Sequence, residues 1–179
     1  MKIKTLVTMA LAVSNESKCP SHKVGTVIVK NGRVISTGYN GTRAGGINPD
    51  EHAISMGWAE RAVDGVRLYP KYEDEYSSWA NTHVIHSEMN ALLYAARSGQ
   101  SVDGATLVTS LSPCSNCAKH MAAAGIKKVI YHTLYSKSAE GWEKTLEDQG
   151  IEVEQFESVI DFNNYHVRVP RLPKFLTVL

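Results

Sequence analysis

From His86 to Phe156 the chain alternates between helical and extended stretches, and this alternation restricts its fold more than any other feature. His86–Arg97 (HSEMNALLYAAR) has a helical composition and stops just before Gly99. Ala105–Ser110 reads as a strand, and Pro113–Ala124 as a helix opened by proline. Lys128–His132 is a second strand, Ala139–Gln149 a helix ended by Gly150, and Ile151–Phe156 a third strand. Successive strands joined through helices pair in parallel, because a parallel return needs a long crossover. Upstream, the β-branched runs Val24–Lys30 and Val34–Thr37 flank Asn31-Gly32, a strong hairpin signal. Ile3, Leu6, Val7, Ala10 and Leu11 recur at helical spacing before them. The pattern predicts an α/β protein, a three-layer α-β-α sandwich around a mixed five-stranded sheet.

The remaining stretches are less regular. Gly38–Pro49 (GYNGTRAGGINP) is glycine-rich and reads as a loop; Glu51–Val63 reads as a helix. Asp64–Thr82 lacks clear periodicity, carries Pro70 and is rich in Tyr, Asp and Glu; it reads as an irregular insertion and a candidate lid. With 179 residues the chain is expected to form one domain over 1–179, with a core of about 1–156 and a tail, 157–179, without an assigned structure.

Charge excludes some classes of function. Nineteen Lys+Arg against 18 Asp+Glu leave a net charge of +1, which argues against a polycation that coats nucleic acid and against an acidic disordered tail. No stable nucleic-acid partner is expected. The apolar runs are far shorter than the roughly 20 residues a membrane span needs. Met1–Val13 resembles the front of a signal peptide, but Asn15, Glu16 and Lys18 follow without a small-residue cleavage site. The cytoplasm is therefore the expected compartment. Three cysteines, two of them as C-x-x-C, suit metal binding or redox chemistry there better than a structural disulfide.

Two motifs carry the chemistry. His86-Ser87-Glu88 and Pro113-Cys114-Ser115-Asn116-Cys117 each sit where a helix begins. The 24 residues between Glu88 and Pro113 suffice for a helix, a strand and a return to the same end of the sheet. One imidazole and two thiolates form a donor set suited to zinc (Zn2+), and three protein ligands leave a fourth position open, as in catalytic sites. Helix starts favour thiolates through their free amides and dipole. Glu88 is two positions from His86, so on a regular helix it points away from the ligand direction and can handle a proton instead. Zinc would bring the pKa of a bound water from about 15.7 toward 7. Alone, C-x-x-C could be a redox pair and His-x-Glu is close to noise. Together, H-x-E … P-C-x-x-C matches the signature of zinc nucleobase deaminases.

The chain resembles the cytidine deaminase superfamily and, within it, the dCMP deaminases, phage-encoded ones included. The resemblance rests on ESKCPSHKVGTVIVKNGRVISTGYNGTRAGG, HSEMNALLYAARSG and TSLSPCSNCAKHMAAAGIKKVIY, and runs to about Gly150. It implies hydrolysis of the 4-amino group of dCMP to give dUMP and ammonia, which feeds thymidylate synthesis. It implies zinc ligation by His86, Cys114 and Cys117 and a proton shuttle at Glu88. Asn40 falls on the position that holds the sugar, Tyr135 on an aromatic near the pocket, and the Ser87 backbone on a contact to the pyrimidine carbonyl. The family is typically a homohexamer, activated by dCTP and inhibited by dTTP, with Mg2+ at the triphosphate. Tyr94 and Arg97 fall on positions linked to that regulation. Some phage members hold a second, structural zinc. Cys19 matches one of its ligands, Pro49 stands where another Cys is expected, and His22, His52 and His83 are candidate replacements.

A nucleotide substrate also needs a cation for its phosphate, and Lys23, Arg43 and Lys137 are candidates, with glycine-rich backbone around Gly41 and Gly45. Tyr39, Trp58, Trp79 and Tyr135 could stack on a base. Two other readings stay open. One is a deaminase of dCTP or another cytosine nucleoside or nucleotide with the same zinc site. The other is a zinc-stabilised nucleotide-binding module without turnover.

Overall fold

The computed structural model describes residues 1–63, 65–135 and 141–157. Its centre is a five-stranded sheet. The first two strands, β1 (Gly25–Lys30) and β2 (Arg33–Tyr39), form the expected hairpin. Asn31 and Gly32 take φ of 52° and 72°, the left-handed pair that a tight two-residue turn requires. β1 also pairs antiparallel with β5 (Thr106–Leu111). β5, β6 (Lys128–Thr133) and β7 (Glu152–Gln155) run parallel. The sheet is therefore mixed, as the hairpin followed by strand–helix alternation demands.

Side-chain alternation assigns the two faces. On one, Val27, Val29, Val108 and Ile130 pack against Leu6, Val7 and Ala10 of α1 (Ile3–Ser14). On the other, Ile28, Leu107, Val129 and Tyr131 meet α4 (Ser87–Arg97), α5 (Ser115–Ala123) and α6 (Trp142–Glu147). Fully burying each of these aliphatic side chains contributes about 1.5–3 kcal/mol, so the two faces together anchor both helical layers.

Between β2 and α4 the structure departs from the sequence reading. Only α2 (Pro49–Ser55) of the expected Glu51–Val63 helix forms, opened by an Asn48/Glu51 capping box. Gly57, at φ 70°, turns the chain out of the helix, and β3 (Ala59–Ala62) pairs with β4 (Gly65–Leu68). The segment read as irregular continues into α3 (Glu73–His83). Glu73, Asp74 and Glu75 favour the positive N-terminal end of that helix, and Tyr76, Trp79 and Ala80 recur at i, i+3 and i+4. Their aromatic face packs with Ala53 and Ala59 in a small separate core. His52 and His83 both stack on Trp79, with ring centroids 4.0 and 4.8 Å away. The candidate lid is thus a packed wall. Of the Ala139–Gln149 helix, 142–147 forms as expected, while 139 and 140 lie outside the described residues, as does most of the 157–179 tail.

Two glycines set how closely helices approach the sheet. A Cβ at position 38 would lie 2.4 Å from the Ser87 carbonyl oxygen and 2.5 Å from the Ala91 amide nitrogen. Nearby, the Ser36 hydroxyl donates to the Ala91 carbonyl at 2.6 Å. Gly25 stands equally close to Ala10 and Ser14 of α1. Gly38→Ala is therefore expected to push α4 outward and cost about 1–3 kcal/mol, the usual range for overpacking. A denaturation midpoint unchanged from the parent would contradict this packing.

Candidate metal centre and active-site cavity

The site lies at the rim where β5 ends and α4 and α5 begin. An isolated bridge ties the approach to α4 to the loop after β2: Gly41 N donates to Ile85 O at 3.1 Å, and Ile85 N to Gly41 O at 2.8 Å. His86 then takes the N-cap position of α4, and Cys114 that of α5. The Cys117 amide donates to Cys114 Sγ at 3.5 Å, so this thiol takes up one of the unpaired amides of a helix start.

The structure brings His86, Cys114 and Cys117 together. Their donor atoms all lie within 4.8 Å of one another, and each sulfur is 3.5 Å from His86 Nδ1. A tetrahedral zinc with Zn–S of about 2.3 Å and Zn–N of about 2.05 Å has an S···N edge of about 3.6 Å. The donor set and its spacing thus fit zinc with one coordination position left over. Among the described residues this is the only group of three or more such donors. The three groups also shift one another's titration. Cys114 is held down to about 3 by the hydrogen bond from the Cys117 thiol, with His86 adding to the effect, while Cys117 is pushed up in turn. The hydrogen bond with Cys114 raises His86.

Glu88 sits in the first turn of α4, only 4% exposed. Burial raises its carboxyl above the usual range. Ser87 Oγ donates to Glu88 Oε2 at 3.0 Å. His86, Ser87, Glu88 and Cys114 line a cavity of about 170 Å³, which Asn40 and Tyr135 also border. His22 and Tyr135 meet in a T-shaped arrangement with ring centroids 5.2 Å apart, and the Tyr135 amide donates to Ser112 Oγ at 2.8 Å.

Other expected residues take different places. Asn40 uses its side chain as a clamp: Nδ2 donates to His22 O and Oδ1 accepts from Val24 N, both at 2.8 Å. One Nδ2 hydrogen remains beyond those bonds. Tyr94 and Arg97 are exposed on α4 and do not line the cavity. Cys19 is buried, donates to Asn40 O at 3.7 Å and is hydrogen-bonded to Tyr76. No group of three metal donors forms around it among the described residues. Lys23 and Arg43 are outside the cavity lining, and Lys137 lies outside the described residues.

The α3 contribution escaped the sequence reading. Tyr76, Ser77 and Asn81 of α3 form one cavity wall. A second cavity of about 380 Å³ shares Ser21, His22, Tyr76, Ser77 and Tyr135 with the first and extends to Arg67 of β4 and Glu73. The i, i+3, i+4 spacing of Tyr76, Trp79 and Ala80 was the available signal for α3; nothing local marked Arg67.

Fold and site together set a donor trio suited to zinc, with a buried acid beside it, on a three-layer α/β scaffold. The sequence profile of the cytidine and deoxycytidylate deaminase zinc-binding region matches residues 1–133, and the chain belongs to that family. It is accordingly an enzyme, a hydrolytic deaminase. The chain is 44% identical to the deoxycytidylate deaminase of Enterobacteria phage T2, over 86% of this chain and 91% of that protein. It is 40% identical to that of Mycobacterium phage D29, over 69% and 88% respectively. The crystal structure of dCMP deaminase from cyanophage S-TIM5 in complex with dCMP and dUMP matches with a TM-score of 0.66 at 33% identity, covering 87% of this chain and 99% of that one. No helix among the described residues is long and apolar enough to cross a membrane.

Proposed function

We propose that the protein hydrolyses dCMP to dUMP and ammonia, supplying dUMP for thymidylate synthesis. The observation that carries this reading is the trio of donors, each sulfur 3.5 Å from His86 Nδ1, with Glu88 buried in the cavity that His86 and Cys114 also line. His86, Cys114 and Cys117 would hold zinc, which when bound would make water acidic enough to supply a nucleophile near neutral pH. Glu88 would take one proton from water and pass it to N3 as the oxygen adds to C4 of the cytosine. It would then take the remaining hydroxyl proton and deliver it to the amino nitrogen, which leaves as ammonia as the C4 carbonyl forms. The Ser87 amide, in the first turn of α4, has no partner within the helix and can donate to the pyrimidine carbonyl. Tyr135 walls the base, and the remaining Asn40 N–H is available to the sugar. The outer cavity is read as the place of the 5′-phosphate, where Arg67 would turn to it from its exposed ion pair with Glu60.

The finer parts of the reading are a homohexamer in the cytoplasm (the host's, if phage-encoded), activated by dCTP with Mg2+ and inhibited by dTTP. Support for oligomerisation comes from the exposed α4 face, where Leu93 and Tyr94 are 51% and 59% accessible. Ammonia release from dCMP, cytidine and dCTP at equal concentration tests the substrate. Release is expected from dCMP above all, along a sigmoidal curve that dCTP makes hyperbolic. Silence toward dCMP would sink the substrate assignment. Preference for dCTP would favour the triphosphate alternative, and metal binding without turnover of any of the three would favour a zinc-stabilised binding module.

A further inference from the structure

We propose that Thr26 and Ser87 are positioning residues, a buried hydroxyl relay that runs from β1 into the carboxylate of Glu88. The inference rests on the reading of Glu88 as the proton carrier. Thr26 Oγ1 lies 2.8 Å from Ser87 Oγ, and Ser87 Oγ donates to Glu88 Oε2 at 3.0 Å. A serine hydroxyl has one hydrogen. Ser87 commits it to the carboxylate, so Thr26 donates to Ser87 and the order of the relay is set. Thr26 and Ser87 are fully buried and Glu88 is 4% exposed, so no bulk water competes for these bonds.

The sheet explains where the relay starts. Val27 faces α1, so its neighbours Thr26 and Ile28 face α4, and Gly38 on the adjacent strand lets that helix come close. A hydroxyl at position 26 therefore meets one at position 87 across the sheet–helix interface. Packing alone does not call for either: valine has nearly the shape of threonine, and alanine differs from serine by one oxygen. What the two hydroxyls supply is direction. A glutamate side chain rotates about three bonds, and tying Oε2 to the helix start confines the rotation and leaves Oε1 for the cavity. Residues locked in this way hold the reacting geometry without touching substrate.

The test compares kcat and KM for dCMP, zinc content and thermal unfolding in Ser87→Ala, Thr26→Val, Thr26→Ser and the double variant Thr26→Val/Ser87→Ala. Loss of a hydrogen bond to a charged group predicts a fall in kcat of roughly ten- to a hundredfold in Ser87→Ala, with KM and zinc content unchanged. Thr26→Val is expected to lower kcat by a smaller factor, and Thr26→Ser, which keeps the hydroxyl, to restore it. The double variant should be no worse than Ser87→Ala, because one break already severs the relay. Parental kcat in folded, zinc-loaded Ser87→Ala overturns the relay, as do losses that track zinc or folded fraction, or that simply add in the double variant. Glu88→Gln run alongside separates the two failures. If it turns over normally, the reading of Glu88 fails; if it is inactive while Ser87→Ala is fully active, only the relay fails.

Discussion

Glu88→Gln is expected to keep its fold and its zinc and to lose kcat by roughly 10²- to 10⁴-fold, the usual worth of a positioned general acid–base. The amide has the shape of the carboxyl, and its oxygen can still accept from Ser87, so the cavity wall and the helix start are preserved. What disappears is the ability to take up a proton and return it to the departing nitrogen. The residue is not one of the three atoms spaced as a metal trio, so metal content should stay at the parental level. The measurement is ammonia release beside metal stoichiometry on the same sample. A variant with parental kcat would show that the proton travels by another route. A variant that loses zinc in step with activity would make Glu88 a structural element of the metal centre.

Cys117→Ala should have the second large effect, with zinc falling to a trace and turnover to background. Cys117 is 4% exposed and packs in the main core, while its sulfur also faces His86. Alanine leaves a small void there and removes one of three donors, so the remaining pair holds the ion weakly. Metal binding that is lost also withdraws its stabilisation of the folded state, and the unfolding midpoint should drop and stop responding to added zinc. Chelation of the parent protein should reproduce the loss of activity, and zinc should restore it. The competing view of C-x-x-C as a redox pair anticipates the reverse: activity that survives chelation and vanishes when a reversible disulfide forms. Both thiols are free in the structure.

The residues proposed to carry the chemistry were legible because each motif coincides with a local structural signal. Pro113 and the run after it announce a helix start, as does His86 before an alanine- and leucine-rich stretch. In such a layout the two helix starts can be neighbours at one end of the sheet, and the structure does bring His86, Cys114 and Cys117 together there. Segment 57–83 was less legible. Its hairpin depends on Gly57 leaving helix geometry and on β3 finding β4, and its helix packs on a small core made with Ala53 and Ala59, far back in the chain. Asn40 shows the same limit at one side chain. The GYNG stretch marks a loop, but the bonds of Asn40 to His22 and Val24 exist only because two distant segments meet.

The amino-acid sequence by itself determined the layered α/β class, the parallel crossovers and the donor types at the metal centre, since periodicity, turn chemistry and ligand chemistry act over a few residues at a time. Tertiary structure alone decided that α3 walls the cavity, that Arg67 opens onto its outer part and that a threonine on β1 reaches the serine beside Glu88. Those pairings arise between segments tens of residues apart, where contact depends on how closely sheet and helices pack and leaves no local trace in the order of residues.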